Sequence, residues 1–178
     1  MITTKRLIIR PIEKLDIDDI YEYGSDEDTG QYMLFWPKSR EQVEKFIDNC
    51  ISKMSSDELI WYENVIQLKD ELKVIGNITL EIRESVAEIG WISNKKYWNK
   101  GYMSEAVKGI IEHAFSDLGV KRILATCSDK NIASYRVMEK CNMVKIKTEN
   151  NHKSYKHGAP VTFNRLIYCI ESCANLRQ

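Results

Sequence analysis

The residues best suited to chemistry lie in the stretch 87–114. Lys100 and Gly101 form a turn between an apolar segment with strand character and an amphipathic helical segment. The first N–H groups of a helix have no intrahelical partner, and the helix dipole adds about half a positive charge there. A strand, a glycine and a helix N-terminus in this order predict an anion site, with a phosphate-bearing cofactor as the expected ligand. The helix is indicated by apolar residues at helical spacing: Met103, Ala106, Val107, Ile110, Ile111, Ala114, Phe115 and Leu118.

Two common phosphate-binding motifs do not fit this turn. A P-loop requires two glycines that flank four residues, followed by Lys-Ser or Lys-Thr, whereas Tyr102 follows a single glycine here. The dinucleotide fingerprint requires three closely spaced glycines directly after the strand. The turn instead resembles the pyrophosphate loop of the GNAT acetyltransferase superfamily, whose pattern is Gln/Arg-x-x-Gly-x-Gly/Ala, through the string Trp98-Asn99-Lys100-Gly101-Tyr102-Met103-Ser104-Glu105-Ala106.

The resemblance extends over almost the whole chain. Residues 87–91 and 97–106 look most like the branch that acetylates ribosomal-protein N-termini, and residues 4–11 resemble its first strand. Residues 131–134 and 138–143 resemble its second motif, usually written Asn-x-x-Ser and Glu-Lys-x-Gly-Phe.

Three positions depart from the superfamily pattern. Trp98 replaces Gln or Arg, which is common in that branch. Met103 replaces Gly or Ala, which leaves the amide there less open to a phosphate. Asn142 stands where the family has glycine, and asparagine is the usual substitute where the chain turns left-handed.

The expected fold is mixed α/β. Apolar periodicity predicts helices near 17–21, 43–54, 103–118 and 132–141, and strands near 7–9, 60–68, 73–82, 86–93, 123–127, 143–148 and 163–170. Residues 39–42 have the form of a capping box, and 149–162 is expected to be a polar loop. The resemblance implies the GNAT fold, a mostly antiparallel seven-stranded sheet split between its fourth and fifth strands. We expect one domain over 1–178, with a frayed tail at 171–178.

The resemblance implies acetyl-CoA as co-substrate, with its pantetheine arm in the sheet split between residues 91–93 and 125–128. Lys100 is expected to face the pyrophosphate, although it is also readable as a solvated lysine near Lys95 and Lys96. Asn131 is either a helix N-cap or a ligand of the cofactor. The full expected set is Trp91, Ile92, Ser93, Asn99, Lys100, Gly101, Tyr102, Met103, Ser104, Asn131 and Ser134.

Acetyl transfer to an amine requires a neutral amine, a stabilised carbonyl oxygen and a proton for the departing thiolate. Glu88 is the first candidate for the base, because its neighbours Ala87 and Ile89 are apolar and an apolar environment raises a carboxyl pKa. The alternative is a solvent-facing glutamate paired with Arg83. Glu81 and Glu63, on adjacent strands, are the other candidate bases.

Ser134 is the candidate proton donor, because it occupies the family's Asn-x-x-Ser position. Many GNAT enzymes have a tyrosine seven residues after the asparagine, where this chain has Met138. The alternative role for Ser134 is a hydroxyl that bonds to the backbone at the helix start.

The acceptor amine is not identified by any motif. Tyr32, Phe35 and Trp36 are candidates for its pocket, or equally for a hydrophobic lid over the core. The walls of the acceptor site are expected in the weakly patterned segments 24–38 and 149–162.

Composition narrows the function classes. The chain has 178 residues and a formal net charge of zero, which argues against nucleic-acid binding by general electrostatics. No apolar run reaches the length of a membrane span and no signal peptide is visible. The cysteines form no Cys-x-x-Cys pair and the histidines no ligand pair, so we expect reduced thiols, no metal and a cytoplasmic location.

The sequence therefore predicts an acetyl-CoA-dependent N-acetyltransferase that acts on a primary amine of a protein N-terminus or a small molecule. A catalytically inactive acyl-CoA-binding module and a phosphate-binding interaction domain are the alternatives. No nucleic acid or membrane is expected as a partner, and whether the chain forms a homodimer is open.

Overall fold

A single mixed sheet organises the chain in the computed structural model, which describes residues 1–33, 37, 39–54, 60–156 and 158–172. Within these residues the sheet has eight strands, in the order β1-β2-β3-β4-β5-β6-β8-β7. The strands are β1 (Ile2–Thr3), β2 (Leu7–Pro11), β3 (Ile60–Leu68), β4 (Val74–Arg83), β5 (Val86–Ser93), β6 (Arg122–Ser128), β7 (Val144–Lys156) and β8 (Ala159–Glu171). The helices are α1 (Ile17–Gly24), α2 (Arg40–Met54), α3 (Tyr102–Ser116) and α4 (Ile132–Lys140).

The sheet is antiparallel except where β5 meets β6. These two strands pair in parallel over three positions, from Val86 opposite Arg122 to Glu88 opposite Leu124. Beyond Glu88 both strands continue but no longer pair with each other, while β6 stays paired with β8 along its other edge over its whole length. The predicted split is confirmed. It lies between β5 and β6 because the two-residue β1, which the sequence analysis did not find, precedes the seven predicted strands.

The helix signals are confirmed by the local structure. The apolar face of α3 is buried through Ala106, Val107 and Ile110. Ser39 and Gln42 form the predicted capping box, since the Gln42 amide donates to Ser39 Oγ at 3.2 Å and the Ser39 amide donates to Gln42 Oε1 at 3.4 Å. Asn142 has a φ of 61°, as the left-handed turn after α4 requires.

Two apolar cores lie on opposite faces of the sheet. One packs α3 and α4 against residues such as Ile9, Ile78 and Leu80. The other packs α1 and α2 against Val65 and Ile92.

The prediction of a polar loop over 149–162 is wrong. These residues continue β7 and β8 as a long antiparallel hairpin around Gly158, with a register irregularity between Glu149 and His152. The outer face of the hairpin is exposed, so its strands carry polar residues and lack the apolar alternation of a buried strand. Glu171, the first residue of the predicted frayed tail, is the last residue of β8. Residues 173–178 lie outside the described residues.

Candidate active site

The turn that starts α3 presents free backbone donors. Gly101, the N-cap, has a φ of 77° and Asn99 a φ of 60°, so both lie in the left-handed region. The first helical bond runs from the Glu105 amide to the Gly101 carbonyl, at 3.1 Å. The amides of Tyr102, Met103 and Ser104 precede that bond and have no partner among the described residues. This arrangement suits an anion.

Glu105 fixes this turn to the start of the sheet. Its carboxylate accepts from the Thr4 hydroxyl at 2.6 Å, the Arg6 amide at 2.7 Å and Arg6 Nε at 2.7 Å. Arg6 also donates to the Lys100 carbonyl at 3.0 Å. Burial opposes ionisation of Glu105, but the hydrogen bonds from Thr4 and Arg6 hold its pKa below the ordinary value. The turn is thus held by charge-assisted bonds.

The three lysines before the helix differ in their partners. Lys95 pairs with Asp28, and Lys96 pairs with Glu22 at 2.8 Å. Lys100 pairs with no carboxylate in the described part of the chain, and its ammonium lies 5.1 Å from the centroid of the Tyr97 ring. Lys100 is therefore the lysine whose charge is available to a ligand.

A cavity of about 530 Å³ lies where β5 and β6 separate. It brings together four of the predicted site residues, which come from the α1–α2 connection, β5 and the start of α4: Tyr32, Trp91, Asn131 and Ser134. Residues 99–104 lie at the α3 turn and do not line the cavity. Ile92 is buried in the core that contains α1 and α2, and the Ser93 carbonyl accepts from Trp98 Nε1 at 2.9 Å.

Asn131 is an N-cap, as one of its two predicted roles requires. Its Oδ1 accepts from the Ser134 amide at 3.1 Å, while both residues also line the cavity. Cys127 lines it too. Burial raises the pKa of this thiol to about 11, and a hydrogen bond with Ser134 opposes the rise. Cys127 is therefore a thiol at neutral pH. Met138 supplies a buried thioether where many family members have a phenol.

Glu88 has a different environment from the one its neighbours suggested. Ala87 and Ile89 are buried on one face of β5, whereas Glu88 is exposed on the other. Arg83 pairs with Glu81 at 2.7 Å, not with Glu88. Glu88 does not line the cavity, but Gly90, two residues along the same face, does.

Glu63 is the buried carboxyl of this region. It is 2% exposed and accepts from the Thr79 hydroxyl at 2.6 Å and from Asn77 Nδ2 at 3.2 Å. Burial raises its pKa to about 7, although these hydrogen bonds oppose the rise. Glu63, Thr79 and Gly90 are directly opposite one another on β3, β4 and β5, so Glu63 lies in the same row as the cavity wall.

The acceptor side of the cavity contains residues that the sequence analysis did not single out as ligands. They come from the α1–α2 connection and from the β7–β8 hairpin: Gln31, Met33, His152, Lys156, Val161, Thr162, Phe163 and Arg165. The segments 24–38 and 149–162 were predicted to hold these walls. The one sequence signal for a strand in this segment was the alternation of Val161 and Phe163 with Thr162 and Asn164. Phe35 and Trp36 lie outside the described residues.

Comparisons with known proteins agree with this geometry. The sequence model of the family described as "Acetyltransferase (GNAT) domain" matches residues 6–144. The uncharacterized N-acetyltransferase YnaD of Bacillus subtilis is 40% identical over 144 residues, which are 80% of this chain and 81% of YnaD. The chain therefore belongs to the GNAT acetyltransferase family, and it is an N-acetyltransferase.

Solved structures show the same fold. The crystal structure of a GNAT-family acetyltransferase from Bacillus anthracis has a TM-score of 0.84 and 29% identity, covering 96% of this chain and 97% of that one. RimL, a ribosomal L7/L12 α-N-protein acetyltransferase in complex with coenzyme A, has a TM-score of 0.81 and 16% identity, covering 94% and 95%.

Two further findings concern the described residues alone. They contain no group of three or more His, Cys, Asp or Glu side chains that could hold a metal ion. No helix formed by them is long and apolar enough to cross a membrane.

Proposed function

We propose that this protein transfers an acetyl group directly from acetyl-CoA to a primary amine of a protein N-terminus or a small molecule. The observation that carries the proposal is the cavity at the β5–β6 split, lined by Trp91, Asn131 and Ser134. From the cavity wall at Trp91, β5 leads to the turn at Gly101, where the free amides of α3 suit a pyrophosphate.

The donor side holds its ligand through the backbone. The amides of Tyr102, Met103 and Ser104 donate to the pyrophosphate, and Lys100 adds a positive charge. The backbone of residues 91–93 is free to pair with the pantetheine amides on the side where β6 has left β5, as an added strand would. When bound, acetyl-CoA supplies the acetyl group as an activated thioester.

The acceptor must lose a proton before it attacks. An α-amine has a pKa of about 7.7–8.0, against about 10.4 for a lysine, so a modest base is enough for an α-amine. Glu88 takes this proton through a water at the rim, next to Gly90. Glu63 is the second candidate base. The Thr79 hydroxyl donates to Glu63, and Thr79 lies directly opposite Gly90 of the cavity wall.

The departing thiolate must gain a proton. Ser134 supplies it, because its hydroxyl lies in the cavity beside Cys127 and no phenol is present at position 138. A water can replace this donor, so we expect the contribution of Ser134 to be modest.

The resemblance of residues 87–106 to the ribosomal-protein branch makes a protein N-terminus one acceptor class to test, beside small amines. RimL, which shares the fold, is an acetyltransferase of that kind. The acceptor class within this proposal is open to test.

The experiment is a panel of N-terminal peptides and small amines with acetyl-CoA, read by release of free CoA thiol and by the mass of the acetylated product. We expect thiol release that depends on one class of amine. Binding of acetyl-CoA without acetylation of any amine would instead support an inactive acyl-CoA-binding module, which the buried Met138 at the tyrosine position favours.

A further inference from the structure

We propose that the acceptor is a small amine that carries an anionic group, a carboxylate or a phosphate, and that Lys156 binds this group. The inference rests on the proposed function and names the chemistry of its acceptor. It is carried by the charges on the cavity wall.

The cavity wall contains basic side chains and no acidic ones among the described residues. Its charged or chargeable nitrogen groups are those of Lys130, His152, Lys156 and Arg165. An acceptor with several ammonium groups would therefore meet like charges and no counter-ion. An acceptor with an anionic group finds an opposite charge in a partly enclosed site, where such pairs are stronger than in bulk water.

These four groups are not equally available. The guanidinium of Arg165 pairs with Glu149, at 2.8 Å from Nε and 2.6 Å from Nη2. The Nδ1 atom of His152 lies 3.7 Å from the same carboxylate. Neither Lys130 nor Lys156 pairs with a carboxylate in the described part of the chain. The unpaired charges are thus the two ammonium groups.

Lys156 is positioned for the acceptor. It lies near the tip of the β7–β8 hairpin and donates to the carbonyl of Gln31, so it joins the two segments that form the acceptor wall. That carbonyl satisfies one of its three N–H donors and leaves its charge uncompensated. Lys130 adjoins Asn131, on the side that we assign to the donor.

The remaining residues of the wall limit the size of the acceptor and favour an apolar body beside its anionic group. Tyr32, Met33, Val161 and Phe163 are apolar or aromatic, and the rings of His152 and Phe163 are 5.4 Å apart. About 530 Å³ must hold the end of the pantetheine arm as well as the acceptor. A small amine with an apolar body and an anionic group, of which an apolar amino acid is the simplest example, fits these limits.

Matched acceptor pairs test the proposal. L-methionine is compared with L-methioninamide, and phosphoethanolamine with ethanolamine, by thiol release from acetyl-CoA. We expect the anionic member of at least one pair to have a kcat/KM at least tenfold higher. The amide has the less basic amine, so amine basicity alone would give the opposite order for the first pair. The two pairs distinguish a carboxylate from a phosphate.

Lys156→Met should remove the preference in that pair by raising KM for the anionic member at least tenfold, with little change for the neutral one. Lys153→Met is the matched control, because Lys153 is exposed on the other face of the same strand and does not line the cavity. Equal or better use of the neutral members, or an unchanged preference in Lys156→Met, would overturn the proposal while thiol release still supports the transferase.

Binding gives a readout that does not require turnover. Calorimetry with coenzyme A present should detect N-acetyl-L-methionine or N-acetylphosphoethanolamine binding to the native chain and at least tenfold weaker binding to Lys156→Met. Failure of both products to bind at millimolar concentration would also overturn the anion site. A higher kcat/KM for a peptide N-terminus than for both anionic amines would also overturn the proposal and would indicate a protein acceptor.

Discussion

The donor side and the acceptor side of the cavity are built in different ways. The donor side depends mainly on the edge of β5 at 91–93 and on the α3 turn at 99–104 outside the cavity, and its main groups are backbone amides. The acceptor side comes from 31–33 and from the β7–β8 hairpin, which are more than a hundred residues apart, and its groups are side chains. A site made from local backbone geometry is visible in one sequence, whereas a wall assembled from distant side chains needs the fold.

The difference predicts that the two sides can be damaged separately. Glu88→Gln should lower kcat at least about hundredfold, the lower range for a general base, and most at low pH, where less of the amine is neutral. The affinity for acetyl-CoA, measured by calorimetry, should stay the same. Glu81→Gln, directly opposite on β4, tests the neighbouring candidate base, which pairs with Arg83 in the structure. A wild-type rate in Glu88→Gln would show that Glu88 is not the base.

A pH effect on the acceptor side could also arise from Glu63. Since the folded protein holds this proton more tightly than the unfolded chain, the stabilising effect of the neutral carboxyl is complete below its ordinary pKa. It decreases as the pH rises through the folded pKa of about 7. In the native chain the free energy of unfolding should therefore be lower by about 3 kcal/mol at pH 8 than at low pH. Glu63→Gln has no carboxyl to ionise at this position, so this loss should be absent.

Denaturant unfolding at pH 4.5 and pH 8 measures that difference. Glu88→Gln is measured in parallel, because it removes an exposed carboxylate from the same face of the sheet. If Glu63→Gln instead keeps the native pH dependence of stability but loses turnover, Glu63 and not Glu88 takes the proton from the amine.

Gly101→Val tests the donor side. The φ of 77° disfavours a β-branched side chain, and the amides beside it should lose their alignment. We expect acetyl-CoA affinity to fall at least tenfold, about 1.4 kcal/mol, with acceptor KM unchanged.

Gly119→Val is the control for backbone strain. Gly119 has a φ of 69° with open space around it, and it lies beyond the other end of α3. Gly119→Val should lose about as much free energy of unfolding as Gly101→Val, and it should keep its affinity for acetyl-CoA. Equal losses of affinity in both variants would mean that strain, not the turn, is responsible.

Ser134→Ala tests the place where the two sides meet, and its effect should be the smallest. Because water can protonate a thiolate, we expect kcat to fall by less than about tenfold, with binding of both substrates preserved. Ser128→Ala changes a hydroxyl of the same cavity wall that accepts from the Lys130 amide, and it should leave kcat unchanged.

Periodicity and capping residues were enough to predict most elements. The α3 face, the Ser39 capping box and the left-handed Asn142 follow from local rules, which the structure confirms. The resemblance supplied the split, which no local pattern shows. The long β7–β8 hairpin was missed because both of its strands have a solvent-exposed face and carry polar residues like those of a loop.

The environment of a side chain was harder to predict than its position. Glu88 has apolar neighbours in sequence, but on a strand these neighbours point to the opposite face. Glu63 is buried because α1 and α2 cover its face of the sheet, and its partner Thr79 comes from the next strand. Neither fact can be obtained from one strand alone.

Thermal unfolding with acetyl-CoA, ATP and NAD, each at the same concentration, tests the donor site most directly. A ligand at a hundred times its dissociation constant adds about 2.7 kcal/mol to the stability of the folded chain. For a domain of this size the melting temperature should rise by several degrees, at about 2–4 °C per kcal/mol. We expect that rise with acetyl-CoA and not with ATP or NAD, because neither nucleotide has a pantetheine arm to place beside Trp91 in the split. Equal shifts with all three ligands would contradict the proposal and indicate a general phosphate site.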